Sequence, residues 1–393
     1  MNKGLQRLDY LDSLKVALTF LVVAHHAGQP YGGSGGFWPF VSQQTTNLGP
    51  FFAVNAAFFM TLFFMVSAYF VPASYDKKGP KRFLKDRLKR IGIPLLLGFL
   101  LIVPPLMYTY YINYRGYGYI SYGYYLTHVF FGFGQPVPPH WTGPSWPDVQ
   151  FAHLWFLEHL LFYAVVYCLW RVIVSKIKPQ RMESQNNSEF PSFTKIFVFA
   201  VLLALVTFVV RIYYPIDRWV GFLGFIQAEF AHVPQYASFF VIGMVAYRKN
   251  WLNQLPDRIG QVWLCIGVLL AAIFYIGAYS HLFWFFNGGG FNGGSLLYSF
   301  YDTLMCTGLC IGLVYLFKKK LNGTTKLIKV LAQNAFTVYI IHYPIVVMLQ
   351  YAFGHLQWIA LAKFLMVTVL GIIISFFLSW AIIKRIPYLG KIL

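Results

Sequence analysis

Ten stretches of this chain are nearly free of charge and about as long as a bilayer is thick: residues 10–27, 51–71, 93–112, 154–174, 193–213, 236–247, 261–285, 296–317, 330–353 and 358–383. A hydrocarbon core takes about 20 residues of helix to cross. Inside it only helices and closed barrels satisfy every backbone polar group. The sixth stretch is short as drawn, with residue 222 as its alternative start. Composition agrees, since 58% of the 393 residues are hydrophobic and only 11% are charged, against about 25% charged in an average soluble domain. A soluble enzyme, a disordered chain and a disulfide scaffold are excluded. The predicted fold class is an all-α integral membrane protein: one transmembrane domain over residues 1–393, a polytopic bundle of about ten helices.

The net charge of +19 does not point to nucleic acid, because the basic residues cluster where apolar runs end. One side collects Lys3, Arg7, the 77–90 cluster, Lys176, Lys178, Arg181, Arg248, Lys249, Arg258, Lys318–Lys320, Lys326, Lys329, Lys384, Arg385 and Lys391; the opposite loops hold only Arg115 and Arg218. Positive charge marks the cytoplasmic side, so both termini are expected there, in a multi-pass protein of the cell membrane. No cleavable leader is expected, because the first run holds Asp12 and Lys15 and lacks a small-residue cleavage site. Cys168, Cys265, Cys306 and Cys310 all fall in apolar runs and read as small buried hydrophobes, not as a disulfide framework or metal site.

The non-cytoplasmic loop 113–152 is rich in Tyr, Gly and Pro, and its 119–133 segment is a candidate for membrane re-entry. The GGGFNGG run at 288–294 reads as a linker or set of tight turns, since no Lys-Ser/Thr follows to make a phosphate loop. Segment 176–192, with Glu183, Asn186 and Asn187, reads as a polar loop.

Ionisable groups at a membrane helix centre cost about 2.5–3.5 kcal/mol each on insertion scales, so each needs a reason. In the first run, Asp12, Lys15 and His26 are spaced by near-whole helical turns and share one face, while His25 points a quarter-turn away. Asp12 and Lys15 are close enough to pair. The plainer reading is a snorkelling pair with interfacial histidines. The fourth run opens His153-Leu-Trp155-Phe-Leu-Glu158-His159. Glu158 lies at a depth similar to His26, and a carboxylate beside an imidazole sets its tautomer and raises its basicity, as a general base requires. The plainer reading pairs Glu158 with His159. Arg211, Asp302, Asn334 and His342 also fall in apolar runs. The basic amphipathic segment 77–91, with Phe83, Leu84, Leu88 and Ile91 expected to face lipid, fits lipid head groups. Alternatively, Arg87 and Arg90 share a face and can clamp a polyphosphate.

These residues resemble the membrane-bound acyltransferase family 3, multi-span proteins that move acyl groups onto extracytoplasmic carbohydrates. The resemblance rests on Leu11-Asp12-Ser13-Leu14-Lys15, His26-Ala27, Ser67-Ala68-Tyr69, Arg87-Leu-Lys-Arg90 and Tyr339-Ile-Ile-His342-Tyr-Pro344, in the family's order. The His153-Leu-Trp155-Phe-Leu start is similar to the branch with glucan succinyl- and acetyltransferases. Lys15 stands where the family usually has Arg, and Ala68 where it has Gly.

The resemblance implies an acyl-CoA-dependent O-acyltransferase using acetyl-CoA or another acyl-CoA and no metal. Arg87, Arg90, Lys15 and Ser67 would serve the donor on the cytosolic side. His26, steadied by Glu158, would act as general base or as an acylated relay. Arg211, Asp302, His342 and Trp155 would contact substrate, with Arg211 or His342 facing the developing oxyanion. The acceptor would be a polysaccharide, oligosaccharide or glycolipid, with membrane lipids as further partners. The rivals are a secondary transporter or channel whose membrane charges line a solute path, and a binding or sensing module with a lost active site. No internal repeat of the kind common in transporters is visible.

Overall fold

In a computed structural model of the chain, residues 8–32, 38–143, 145–177, 188–222, 226–280, 282–323 and 325–393 are described. The sequence readings at Lys3, Arg7, Lys178, Arg181, Glu183, Asn186 and Asn187 lie outside them.

The protein is mostly helical. The principal helices are α1 Asp9–Gly28, α2 Gly49–Tyr69, α3 Val71–Arg87, α4 Ile93–Leu101, α5 Val103–Tyr110, α6 Trp155–Ile177, α7 Phe193–Tyr213, α8 Val233–Arg248, α9 Asp257–Tyr279, α10 Gly293–Lys320, α11 Lys326–Phe353 and α12 Ala360–Ala381. Among the described residues seven helices (α2, α6, α7 and α9–α12) are long and apolar enough to cross a membrane; the pair α4–α5, bent by 42°, makes up to eight. The protein is thus a polytopic helical membrane protein. Of the remaining expected spans, α1 is diluted by Asp9, Asp12 and Lys15, and α8 has 16 residues.

Residue 222 does not start the sixth span. Strands β1 Trp219–Phe222 and β2 Ile226–Glu229 form an antiparallel hairpin, with Trp219 opposite Glu229. Pro234 at the first turn then admits α8, where a missing N–H costs nothing. The 77–91 segment also differs from expectation. Gly79 takes φ +68° ahead of Pro80 and breaks α3. Phe83 is buried against Tyr75 and Tyr167, and Ile91 is buried too; Leu88 is exposed. The run is therefore pinned to the bundle. Cys168, Cys306 and Cys310 are buried as expected, whereas Cys265 is exposed on α9.

Charged helix ends tie the basic end of the bundle. Asp76 pairs with Arg171 at 3.5 Å and with Arg248, and Lys319 pairs with Asp257 at 2.6 Å. At the opposite end the 116–151 loop folds inward on Tyr125 and Phe130, both fully buried, and Arg115 pairs with Asp148 at 3.2 Å beneath it. The 288–294 run makes tight turns: Gly290 takes φ +87°, and Asn292 caps α10 by accepting the Ser295 N–H at 2.8 Å. Helices α9 and α10 meet through glycines. A Cβ at Gly267 would lie 2.6 Å from the Leu309 nitrogen, and one at Gly308 2.7 Å from the Gly267 nitrogen.

Candidate active site

Helix α1 packs against α2, α11 and α12, which turns His26 into the bundle. There His26 Nδ1 and His342 Nε2 are 2.6 Å apart, with the two rings nearly parallel. The proton positions follow from the partners. His342 Nδ1 faces two carbonyl oxygens of its own helix, Tyr339 O at 2.7 Å and Val338 O at 3.1 Å. A carbonyl only accepts, so His342 Nδ1 donates and His342 Nε2 is the acceptor. His26 Nδ1–H therefore donates to His342, and His26 Nε2 keeps a lone pair. This is the tautomer a general base needs.

Pro344 organises the third imidazole. Proline has no N–H to return to the carbonyl four residues back, here that of Ile340. His153 Nε2–H supplies the donor to Ile340 O at 2.9 Å. The Tyr343 ring stacks on His153 at 4.8 Å, and the Tyr339 hydroxyl donates to the His153 carbonyl. His153 Nδ1 has no hydrogen-bond partner. The indole of Trp38 stacks on His26 at 5.5 Å and donates to Gln350 Oε1 at 2.5 Å, while Gln350 Nε2 donates to the Ala27 carbonyl at 3.2 Å.

His26, His153 and Trp38 line one end of a cavity of about 790 Å³, while His342 stands behind His26, outside the lining. That size falls in the usual range for ligand sites, about 300–1,000 Å³. The other end is lined by Trp155, Trp219, Asp217, Glu229, His232 and Asp302. Trp155 stacks on Tyr236 at 5.6 Å and meets Trp219 edge-on at 5.8 Å. Arg211 lies behind this wall. Its Nη2 donates to Asp302 Oδ2 at 2.6 Å, and Gln235 Nε2 donates to the same oxygen at 2.8 Å.

Outside the spanning helices, His232 Nδ1–H donates to Glu229 Oε2 at 3.0 Å, and the Asp217 N–H donates to Glu229 Oε1 at 2.8 Å. Burial pulls the His232 imidazole down, but the Glu229 carboxylate outweighs it and raises the group above its ordinary value. Burial likewise pushes Glu229 up, but His232 and the Asp217 amide leave it below the ordinary carboxylate value. The pair is ionic.

Glu158 is not hydrogen-bonded to His26. Its Oε2 accepts the Gln227 N–H at 3.3 Å, and the neighbouring His159 Nε2–H donates to the Gln227 carbonyl at 3.2 Å. Consecutive residues of α6 thus clamp the outer, buried edge of β2. The sequence reading placed Glu158 and His26 at one depth; depth does not fix the direction each helix faces, and His342 stands where Glu158 was expected.

The donor candidates lie at the basic end, away from the cavity lining. Lys15 pairs with Asp12 at 3.2 Å and sits over the Phe70 ring. Arg90 pairs with Asp86 at 3.3 Å while largely exposed. The Arg87 guanidinium lies over Phe83, its Nε buried without a hydrogen-bond partner. Ser67 is half-buried near the end of α2. Among the described residues no cluster of His, Cys, Asp or Glu is arranged to hold a metal ion.

Sequence reading missed His232, Glu229 and Trp38, and named His153 only as the start of a motif, with no role. For His153 a signal existed: Pro344 frees a carbonyl, and a freed carbonyl in a bundle core needs a donor.

No solved structure matches the chain. Proteins named glucans biosynthesis protein C from Escherichia coli strains SMS-3-5 / SECEC and K12 are each 25% identical to it over 352 residues, covering 86% of this chain and 82% of the relative. The acyltransferase domain family matches residues 8–384. The chain therefore belongs to the acyltransferase 3 family.

Proposed function

We propose that the protein is an O-acyltransferase of the cell membrane that moves an acyl group, acetyl by default, from cytosolic acyl-CoA to a hydroxyl of an extracytoplasmic carbohydrate. The observation that carries the chemistry is the His26–His342 hydrogen bond, which leaves His26 Nε2 as a lone pair at the cavity. The carbohydrate acceptor rests on the relatives' name, which ties them to glucan biosynthesis, and on the indole-lined far end of the cavity. Aromatic faces suit the apolar faces of sugars.

His26 Nε2 takes the proton of the acceptor hydroxyl as its oxygen attacks the acyl carbonyl. His342 Nε2 accepts the Nδ1–H, holding the ring and stabilising the imidazolium that forms. When the tetrahedral carbon collapses, the C–S bond breaks and His26 returns the proton to the departing thiolate. The products are the carbohydrate ester and the free thiol. Attack by His26 Nε2 itself, giving an acyl-imidazole, is the other route.

The basic end fits the phosphate-rich part of the donor. Arg87 Nε is a buried donor without a partner, and Arg90, Lys15 and Ser67 share that end of the bundle. Lys15 and His26 are about 16 Å apart along α1, at 1.5 Å per residue, a span suited to a long thin acyl carrier. In this reading both termini are cytoplasmic.

The test is transfer of label from radiolabelled acetyl-CoA to glycan in membranes holding the protein. His26→Ala should abolish it while the protein stays folded in the membrane. His342→Ala should lower kcat about 100- to 1,000-fold with KM little changed, because it removes the group that sets the base. Unchanged transfer in His26→Ala would end the assignment. Counterflow of unmodified solute without acyl turnover would replace it with a carrier.

A further inference from the structure

The mechanism above leaves His25 and His153 unused among the histidines at the reacting end of the cavity, and His153 is the one whose tautomer its partner fixes. His153 is 5% exposed, lines the cavity, and has its Nε2–H committed to Ile340 O. Its Nδ1 is therefore a lone pair, and no side chain or backbone group donates to it. Its ring is 6.5 Å from His26 and perpendicular to it. Two imidazole nitrogens on neighbouring rings, His26 Nε2 and the buried His153 Nδ1, are thus left as acceptors. A single hydroxyl carries one proton and can donate to only one of them. A ligand that satisfies both brings two donors a few ångströms apart.

We propose that His153 Nδ1 accepts a hydrogen bond from a second hydroxyl of the acceptor, next to the one His26 deprotonates, so that the enzyme selects vicinal diols. The inference rests on the acyltransfer reading and adds to it a substrate class and a specificity residue. Two adjacent ring hydroxyls of a saccharide supply two donors a few ångströms apart, each able to make a normal hydrogen bond of about 2.7–2.8 Å. The pocket is set before substrate arrives: Tyr343 stacks on the His153 ring, Tyr339 holds its carbonyl, and the Pro344-freed carbonyl fixes its tautomer. An alcohol without the neighbouring hydroxyl leaves a buried acceptor unmet, which is how sites that read a hydroxyl reject analogues lacking it.

Two substitutions separate this role from a structural one. His153→Gln keeps an N–H for Ile340 O but places no acceptor at the Nδ1 position. His153→Asn places its Oδ1 near that position. Purified wild type and variants in proteoliposomes would receive radiolabelled acetyl-CoA and methyl glucoside, galactoside or mannoside, or their monodeoxy analogues. Wild type should prefer a parent glycoside over the analogue lacking the neighbouring hydroxyl by about 10- to 100-fold in kcat/KM. His153→Gln should lose that preference as kcat/KM on the parent glycoside falls toward that on the deoxy analogue; His153→Asn should restore much of it. A preference kept in His153→Gln, parent and analogue falling together, or a rise in KM for acetyl-CoA alone would each overturn the inference and leave acyl transfer standing. Absence of any labelled glycoside from wild type would instead overturn the acyltransfer reading beneath it.

Discussion

Arg211 Nη2 lies 2.6 Å from Asp302 Oδ2, and neither side chain is more than 2% exposed. The pair joins α7 to α10 directly behind the cavity wall. Removing one member strands the other charge out of water, at a cost of about 3–5 kcal/mol. Asp302→Leu should therefore unfold markedly earlier than wild type in a detergent melt. Replacing both, Arg211→Met with Asp302→Leu, should recover most of the loss, because the charge is no longer buried unpaired. A single variant as stable as wild type would show that the pair bears no load.

Glu158 should matter for the acceptor more than for the chemical step. Its carboxylate and the His159 imidazole hold the Gln227 N–H and C=O, and Gln227 and Glu229 bring β2 to the cavity. Glu158→Gln keeps an oxygen for that amide and should be mild. Glu158→Leu should free the hairpin, raising KM for the acceptor several-fold while kcat changes little, with faster amide exchange over residues 219–229. A fall in kcat alone would return Glu158 to the catalytic role its depth first suggested.

The Glu229–His232 pair gives stability a pH window. His232 is raised above its ordinary 6.5, so its contribution is fully present below 6.5 and is lost as pH rises through the raised value. Glu229 is lowered below its ordinary 4.5, so its contribution is present above 4.5 and is lost as pH falls through the lowered value. The pair stabilises most between 4.5 and 6.5. The difference in Tm between wild type and Glu229→Gln should peak in that interval and shrink on both sides. A difference independent of pH would show that the pair is not ionic.

Much of this was legible in the sequence, and the limits have physical causes. Apolar length predicts spans, because the bilayer fixes it. Helical periodicity put Asp12, Lys15 and His26 on one face, and the structure pairs the first two and turns the third inward. Contacts between helices were not legible: His342 read alone is an ordinary packing histidine, and nothing in α11 announces that His26 faces it. The hairpin was hidden because segment 219–229 is as apolar as the helix after it.

The glycine seam of α9 and α10 bears on how one cavity wall is built. At Gly267 and Gly308 these two rods meet backbone against backbone, closer than any larger side chain would allow. The flank of α10 that brings Tyr298 and Asp302 to the cavity is thus part of a helix pair joined at backbone range. The short hairpin that borders the same cavity is held by side chains instead, a carboxylate and an imidazole gripping the backbone N–H and C=O of one β2 residue.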